Sequence, residues 1–321
     1  MLELLTTYAS DIGKLLLIYA AFSLVERLRP AERGQPLRAA VFNVENLLIY
    51  QMISLLLAPL LTALVVGRLR AAHPGAFELV RIDGFLDGAW KTVVFLFAYD
   101  FFYYWFHRLQ HEWGFLWAQH KFHHSEESLN ATTTNRHHWL EDLLRVFFIV
   151  LPMSMAFDLK PAGAGLVTFI IGLWPVFIHA NLRLPLGPLS RLVAGPQVHR
   201  IHHSLEARHL DRNYAAFFPL WDVLFGTYYH PGRDEYPRTG LASGERVTTI
   251  AQALWLPFGV WFGRGAALAP VAAQGSSASA TPPRPKSTAV FWAWGAMFLM
   301  VLVSLEVFAG EAGRHFRLVG G

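Results

Sequence analysis

The residues in this chain best suited to chemistry are histidines, and they come in three runs. These are His107-Arg-Leu-Gln-His111, His120-Lys-Phe-His123-His124 and His199-Arg-Ile-His202-His203. Eight of the fifteen histidines sit in them. On a helix, positions i, i+3 and i+4 share a face, so each run can aim imidazoles at one point. Imidazole binds zinc, copper, iron and nickel well, so such convergence points to a metal site. The adjacent pairs say more. Neighbouring residues on a helix point about 100° apart, so His123 and His124 serve most easily as ligands to two different ions. His202 and His203 are placed in the same way. At this histidine content a chance H-x-x-H-H is expected only about 0.03 times, and the chain has two. The expectation is two metal ions held mostly by histidine.

The elements that must position these residues belong to a very apolar chain. It is 54% hydrophobic and 14% aromatic, beyond the range of an ordinary soluble domain. With no cysteine, disulfides, thiolate ligands and cysteine nucleophiles are excluded. Apolar stretches long enough for membrane spans, or nearly so, run from Tyr8 to Leu28, Asn46 to Val66, Trp90 to Phe106, Leu143 to Phe157, Leu166 to Ala180 and Ala289 to Phe308. Pro59 falls inside the second, which membrane helices tolerate. The first lacks the basic start and cleavage site of a signal peptide, so it is expected to be retained. The organisation expected is a membrane-embedded catalytic domain over 1–264, a linker rich in Ala, Ser and Pro over 265–287, and an additional span and tail over 288–321.

Alternating the six spans places 19 of the 27 Lys and Arg residues on one side, together with all three histidine runs. The positive-inside rule makes that side cytoplasmic. No basic run suggests nucleic-acid binding. The fold class expected is therefore all-α: an integral-membrane helical bundle of about five to six spans, with a cytoplasmic helical lobe that carries the histidines.

The order H-x-x-x-H, H-x-x-H-H, H-x-x-H-H resembles the fatty acid hydroxylase and sterol desaturase superfamily of integral-membrane di-iron oxygenases. Asp100-Phe-Phe-Tyr-Tyr-Trp-Phe-His-Arg, Leu116-Trp117, His124-Ser125-Glu126, His179-Ala-Asn-Leu-Arg183, Pro196 and Trp221-Asp222-Val-Leu-Phe-Gly-Thr227 are similar to its bacterial sterol-desaturase-like members. The resemblance covers roughly Ala40 to Phe262, leaving the last span outside. It implies a centre of two Fe ions, which zinc could replace in purified protein. Its ligands would be His107, His111, His120, His123, His124, His199, His202 and His203, with His179 as a further one. Some members carry another histidine four residues after that last position; here Arg183 stands there. One ion would then have a histidine fewer, its place taken by water or Asn181. Arg136-His137-His138-Trp139-Leu140-Glu141 resembles the family's R-x-H-P-x-E stretch, with Trp139 in place of proline. His138 aligns with its histidine, as a positioning or a plain interfacial residue.

The carboxylates follow. Asp100, Tyr104, His107 and His111 lie on one helical face, so Asp100 could accept a hydrogen bond from the free ring nitrogen of a ligating histidine. Glu141 and Asp222 are similar candidates. His137 is read as no ligand, and His73, His209, His230 and His315 as surface residues. The resemblance implies O2-dependent hydroxylation or desaturation of an unactivated C–H bond in a membrane lipid, whether fatty acyl, sterol-like or carotenoid. The lipid would enter from the bilayer. Electrons would come from a separate donor, such as a ferredoxin, a cytochrome b5-like protein or a reductase. Cleavage of an alkyl-ether lipid by hydroxylation is an alternative. A non-catalytic metal-binding membrane protein is the alternative from another class, although a transporter would place its ligands within the spans.

Overall fold

The structure, a computed structural model, describes residues 2–69, 85–157 and 161–263. The expected linker and final span, together with His73 and His315, lie outside the described residues.

Two helices open the chain. Leucine-rich α1 (Leu2–Glu26) is followed by α2 (Leu37–Thr62), which starts after Pro36 in extended conformation. Pro59 lacks the N–H that would continue the ladder, and α2 passes into a π-helical turn at Ala63–Gly67. By length and composition both can cross a membrane, and few residues of either are buried. Helix α3 (Phe85–Glu112) has 28 residues and is about 42 Å long at the helical rise. It extends the expected third span well past Phe106, so His107 and His111 lie on its last turns.

The chain turns at Trp113, and α4 (Gly114–His124) folds back on α3. A 3-10 turn at Ala131–Asn135 follows, capped reciprocally by Asn130 and Thr133. Helix α5 (Leu140–Arg145) runs through a π-turn (Val146–Val150) into α6 (Leu151–Ala156). Helix α7 (Pro161–His179) comes next, with His179 as its last residue. Short α8 (Pro196–His202) begins with proline at its first position, where the missing N–H costs nothing. Helix α9 (Leu220–Leu224) and α10 (Ile250–Trp261) complete the described fold, the latter started by a Thr249–Gln252 capping box. The described residues hold no strand, only isolated bridges at Pro30–Leu182 and Ser204–Thr239.

Phe95, Phe102, Phe106, Ile149, Met153, Phe157 and Val167 form an apolar core that locks α3 to the α5–α7 region. Burial at the other end of the bundle is polar. Glu26, at the end of α1, accepts hydrogen bonds at Oε1 from the backbone N–H groups of Ala131 and Asn181. One carboxylate thereby ties the first helix to two segments that flank the histidines. Helix α10 was not expected from the sequence. An apolar helix of twelve residues is too short for a span, and this one packs against α4 and α2.

Candidate metal centre

Helices α3, α4, α7 and α8 deliver nine buried imidazoles to one place. They fall into two groups. His107, His111, His120, His124 and His202 form the first, and His123, His179, His199 and His203 the second. Within each group, one ring nitrogen from every residue lies within 4.8 Å of the others. The adjacent pairs divide between the groups: His124 faces the first and His123 the second, and His202 and His203 split likewise. The groups adjoin, with the rings of His124 and His203 stacked 4.3 Å apart.

Backbone carbonyls set the ring orientations. His107 Nδ1 donates to Tyr214 O at 2.7 Å, and His202 Nδ1 donates to Arg212 O at 2.8 Å. In the second group His123 Nδ1 donates to Arg136 O at 3.3 Å and His179 Nδ1 to Pro175 O at 2.7 Å. Each donation leaves Nε2 as a bare lone pair. Yet His179 Nε2 sits 3.1 Å from His123 Nε2. Two such nitrogens cannot hydrogen-bond to each other, and only a shared cation makes the approach favourable. The other close pairs also bring Nε2 to Nε2: His107–His120 and His111–His124 at 3.1 Å, His199–His179 at 2.9 Å and His203–His199 at 3.2 Å. His202 Nε2 is buried with no hydrogen-bond partner.

Electrostatics act in the same direction. Burial, and then the mutual repulsion of neighbouring imidazolium charges, holds His120, His123, His124, His199, His202 and His203 well below the usual histidine range. They are therefore neutral, the form that binds metal. The donor set is all imidazole, with neither thiolate nor carboxylate in either group, and it fits iron, zinc, copper or nickel.

The surrounding polar residues are placed less simply than the sequence suggested. Asp100 touches no histidine. Its Oδ1 accepts from the N–H groups of Ala216 and Phe217, and Oδ2 from that of Phe218. The expected direct bond to a ring is replaced by a grip on the loop that carries Tyr214. Asp222 grips the same loop, accepting from the N–H groups of Tyr214 and Ala215 and from the Thr227 hydroxyl. Burial pushes its carboxyl up to about 6.

Glu141 comes nearer to the imidazoles. It accepts from Gln110, Gln119 and Arg145, and its Oε2 lies 4.0 Å from His120 Nδ1. With His120 and His137 it makes a third, smaller cluster, and His137 is stacked on His123 at 4.3 Å. Asn181 is not in the second group. Its amide is committed to the backbone of Glu32, with Nδ2 donating to the carbonyl and Oδ1 accepting from the N–H, so it is no stand-in ligand. Arg183 stacks over Tyr236 and faces Asp234, and the second group has four imidazoles to the first group's five. His138 accepts from Leu140 N–H and donates to Leu254 O, which ties α10 to α5 away from the histidine groups.

His209 is not at the surface. It is fully buried and bridges Ser204 Oγ and Glu235 Oε1. His230 is exposed. Arg136, which the sequence marks only as the first residue of the R-x-H-P-x-E resemblance, holds several segments together. Its guanidinium lies between the rings of Phe42 and Phe122 and donates to Asn43, Ser125, Phe122 O and Val247 O, while its own carbonyl orients His123.

Comparison with known proteins places this geometry in context. Residues 92–227 match the fatty acid hydroxylase family, a segment that starts in α3 and ends at Thr227. The alkylglycerol monooxygenase of Xenopus tropicalis is 35% identical over 142 residues, 44% of this chain and 31% of that protein. The human alkylglycerol monooxygenase is 33% identical over 143 residues, again 44% and 31%. The ornithine lipid hydroxylase of Rhizobium tropici is 32% identical over 166 residues, 51% of this chain and 49% of that protein. The matches thus span about a third to a half of the relatives' own lengths. No solved structure matches.

Proposed function

Because residues 92–227 match the fatty acid hydroxylase family, we propose that the chain is a membrane-bound, O2-dependent oxidoreductase that hydroxylates a membrane lipid at an unactivated C–H bond. The nine histidines would hold two irons, five from the first group and four from the second. The observation that carries this reading is the 3.1 Å approach of His123 Nε2 to His179 Nε2, two bare lone pairs that need a cation between them. Iron, when bound, supplies one-electron chemistry toward dioxygen, which oxidation of such a bond requires.

The chain's own residues supply the rest. The rings of Tyr99 and Tyr103 stack one turn apart on α3, and Tyr103 lies 5.2 Å from His107. A lipid chain lying along that aromatic file would bring a methylene from the bilayer toward the first group. Burial of all nine imidazoles keeps bulk water from the reacting position. Five to six spans with the histidines on the cytoplasmic face accord with the side that holds most Lys and Arg. A separate electron donor completes the system.

One observation favours a second reading. Relatives with 33% and 35% identity are alkylglycerol monooxygenases, so the oxidised carbon could adjoin an ether oxygen. Hydroxylation there gives a hemiacetal that breaks into an aldehyde and an alcohol.

The test is metal analysis and Mössbauer spectroscopy on detergent-purified protein, wild type against a His123→Ala/His202→Ala double variant. About two irons per chain, lost in the variant, support the reading. Lipid turnover with O2 and a reductant then separates a hydroxylated product from a released aldehyde. Stoichiometric zinc that ferrous iron cannot replace would overturn it in favour of a non-redox metal protein.

A further inference from the structure

Two ligand candidates of the five-histidine group hang from one short segment. His107 is oriented by the carbonyl of Tyr214 and His202 by that of Arg212. The segment is not regular structure. Asp211 and Asn213, on either side of Arg212, both have left-handed backbone, φ 60 and 58. Such a conformation costs about 1–3 kcal/mol for a non-glycine residue and persists only where the surroundings over-determine it. Here they do. Asn213 N–H donates to Thr227 O, and its side chain bonds both to the Tyr229 N–H and to the Val198 and Tyr229 carbonyls. The next five N–H groups, Tyr214 to Phe218, all end on two carboxylates. Asp222 takes the first two and Asp100 the last three. Both carboxylates are fully buried and come from separate helices, α3 and α9. The four-histidine group takes no ring-orienting carbonyl from this segment, although Asn213 does reach Val198 O on α8 and Phe217 O accepts from the Ala194 N–H just before that helix. The group's carbonyl partners are Arg136 and Pro175, on other elements.

We propose that Asp100 and Asp222 are positioning residues for the five-histidine group alone. They fix the 212–218 segment, and through it the Nδ1–H tautomer and ring direction of His107 and His202, so that both Nε2 atoms are preset for metal. The hydrogen bonds of both carboxylates go to this loop and to Thr227, not to the imidazoles. They act through the loop between them, and the carbonyls that orient the two groups' rings lie on separate segments. This rests on the reading of the groups as metal sites.

The test titrates full-length protein in detergent with ferrous iron under anaerobic conditions. Wild type, Asp100→Asn and Asp222→Asn are compared, with His202→Ala and His203→Ala marking the two groups. An asparagine keeps the size of the side chain but turns an N–H toward a backbone donor. The expected result is one iron bound about 10- to 100-fold more weakly, as for other residues that orient a ligating histidine, with the second iron unaffected. The aspartate variants should match His202→Ala in their Mössbauer signature and differ from His203→Ala. Equal weakening of both irons would mean a general structural role and overturn the proposal, as would wild-type affinity for both. If the aspartate variants do not fold, Thr227→Val decides. It removes the hydroxyl that donates to Asp222 Oδ1 and accepts from the Tyr104 hydroxyl, and should weaken the same one iron by a smaller factor; no selective change there overturns the proposal. A wild type that binds no iron would instead refute the metal-site reading itself.

Discussion

Acid is the sharpest perturbation of this centre. In the metal-free fold, six imidazoles are held well below the usual 6.5, by burial first and by one another second. In the unfolded chain they titrate near that value. The unfolded state therefore binds more protons as pH falls below 6.5, and the stability these groups confer is present above 6.5 and lost below it. At about pH 5.5 an imidazole that stays neutral in the fold costs about 1.4 kcal/mol, so a few such groups consume a large share of a fold's stability. A typical fold has only about 5–15 kcal/mol in total. Glu141, pushed up by burial, and Asp222, at about 6, act in the opposite direction. The assay is thermal unfolding of metal-free and iron-loaded protein in detergent, followed by tryptophan fluorescence at pH 7.5 and 5.5. The metal-free protein should lose most of its stability over that interval, and iron should be released with unfolding rather than ahead of it. An unchanged melting temperature would refute the reasoning, because it would mean that the imidazoles accept protons within the fold.

Arg136→Lys should lower stability by about 2–4 kcal/mol in thermal melts, since an ammonium cannot reproduce the planar fork between Phe42 and Phe122. The same variant should weaken iron at the four-histidine group, whose His123 rests on the Arg136 carbonyl. Asn213→Ala should be more destabilising than Asn213→Gly by about 1 kcal/mol, because both lose the side-chain bonds but only alanine keeps the cost of positive φ. Chemical denaturation of the two variants measures the difference. His209→Gln should cost about 1–2 kcal/mol by breaking the bridge from Ser204 to Glu235, with metal content unchanged.

The convergence of the imidazoles was legible in the sequence because helical periodicity converts spacing into direction. The division of His123 from His124, and of His202 from His203, follows from the angle between neighbours on a helix. The supports were not legible, for a physical reason. His107 and His202 are oriented by carbonyls, and a carbonyl has no residue-type signature. Asp100 reaches a loop more than a hundred positions away, so its partners could not be read from the pattern on its own helix. Asn181 is polar and well placed along the chain, yet the backbone of Glu32 claims both ends of its amide. His209 looked like a surface residue because its partners, Ser204 and Glu235, become neighbours only when the loops after α8 close. Helix α10 escaped notice because its apolar run is shorter than a span.

The splitting of the two adjacent pairs has a mechanical consequence. A peptide bond joins His123 to His124 on α4, and another joins His202 to His203 at the end of α8. Two covalent rungs therefore bridge the halves of the centre, and each rung is inextensible. When motion shifts one of these helices, both halves travel with it, and the gap between them varies little. A separation that would otherwise depend on soft packing in a compliant bilayer is set by bond lengths. A device that must present two partners at a constant spacing while its surroundings deform gains from being built on such a rigid gauge.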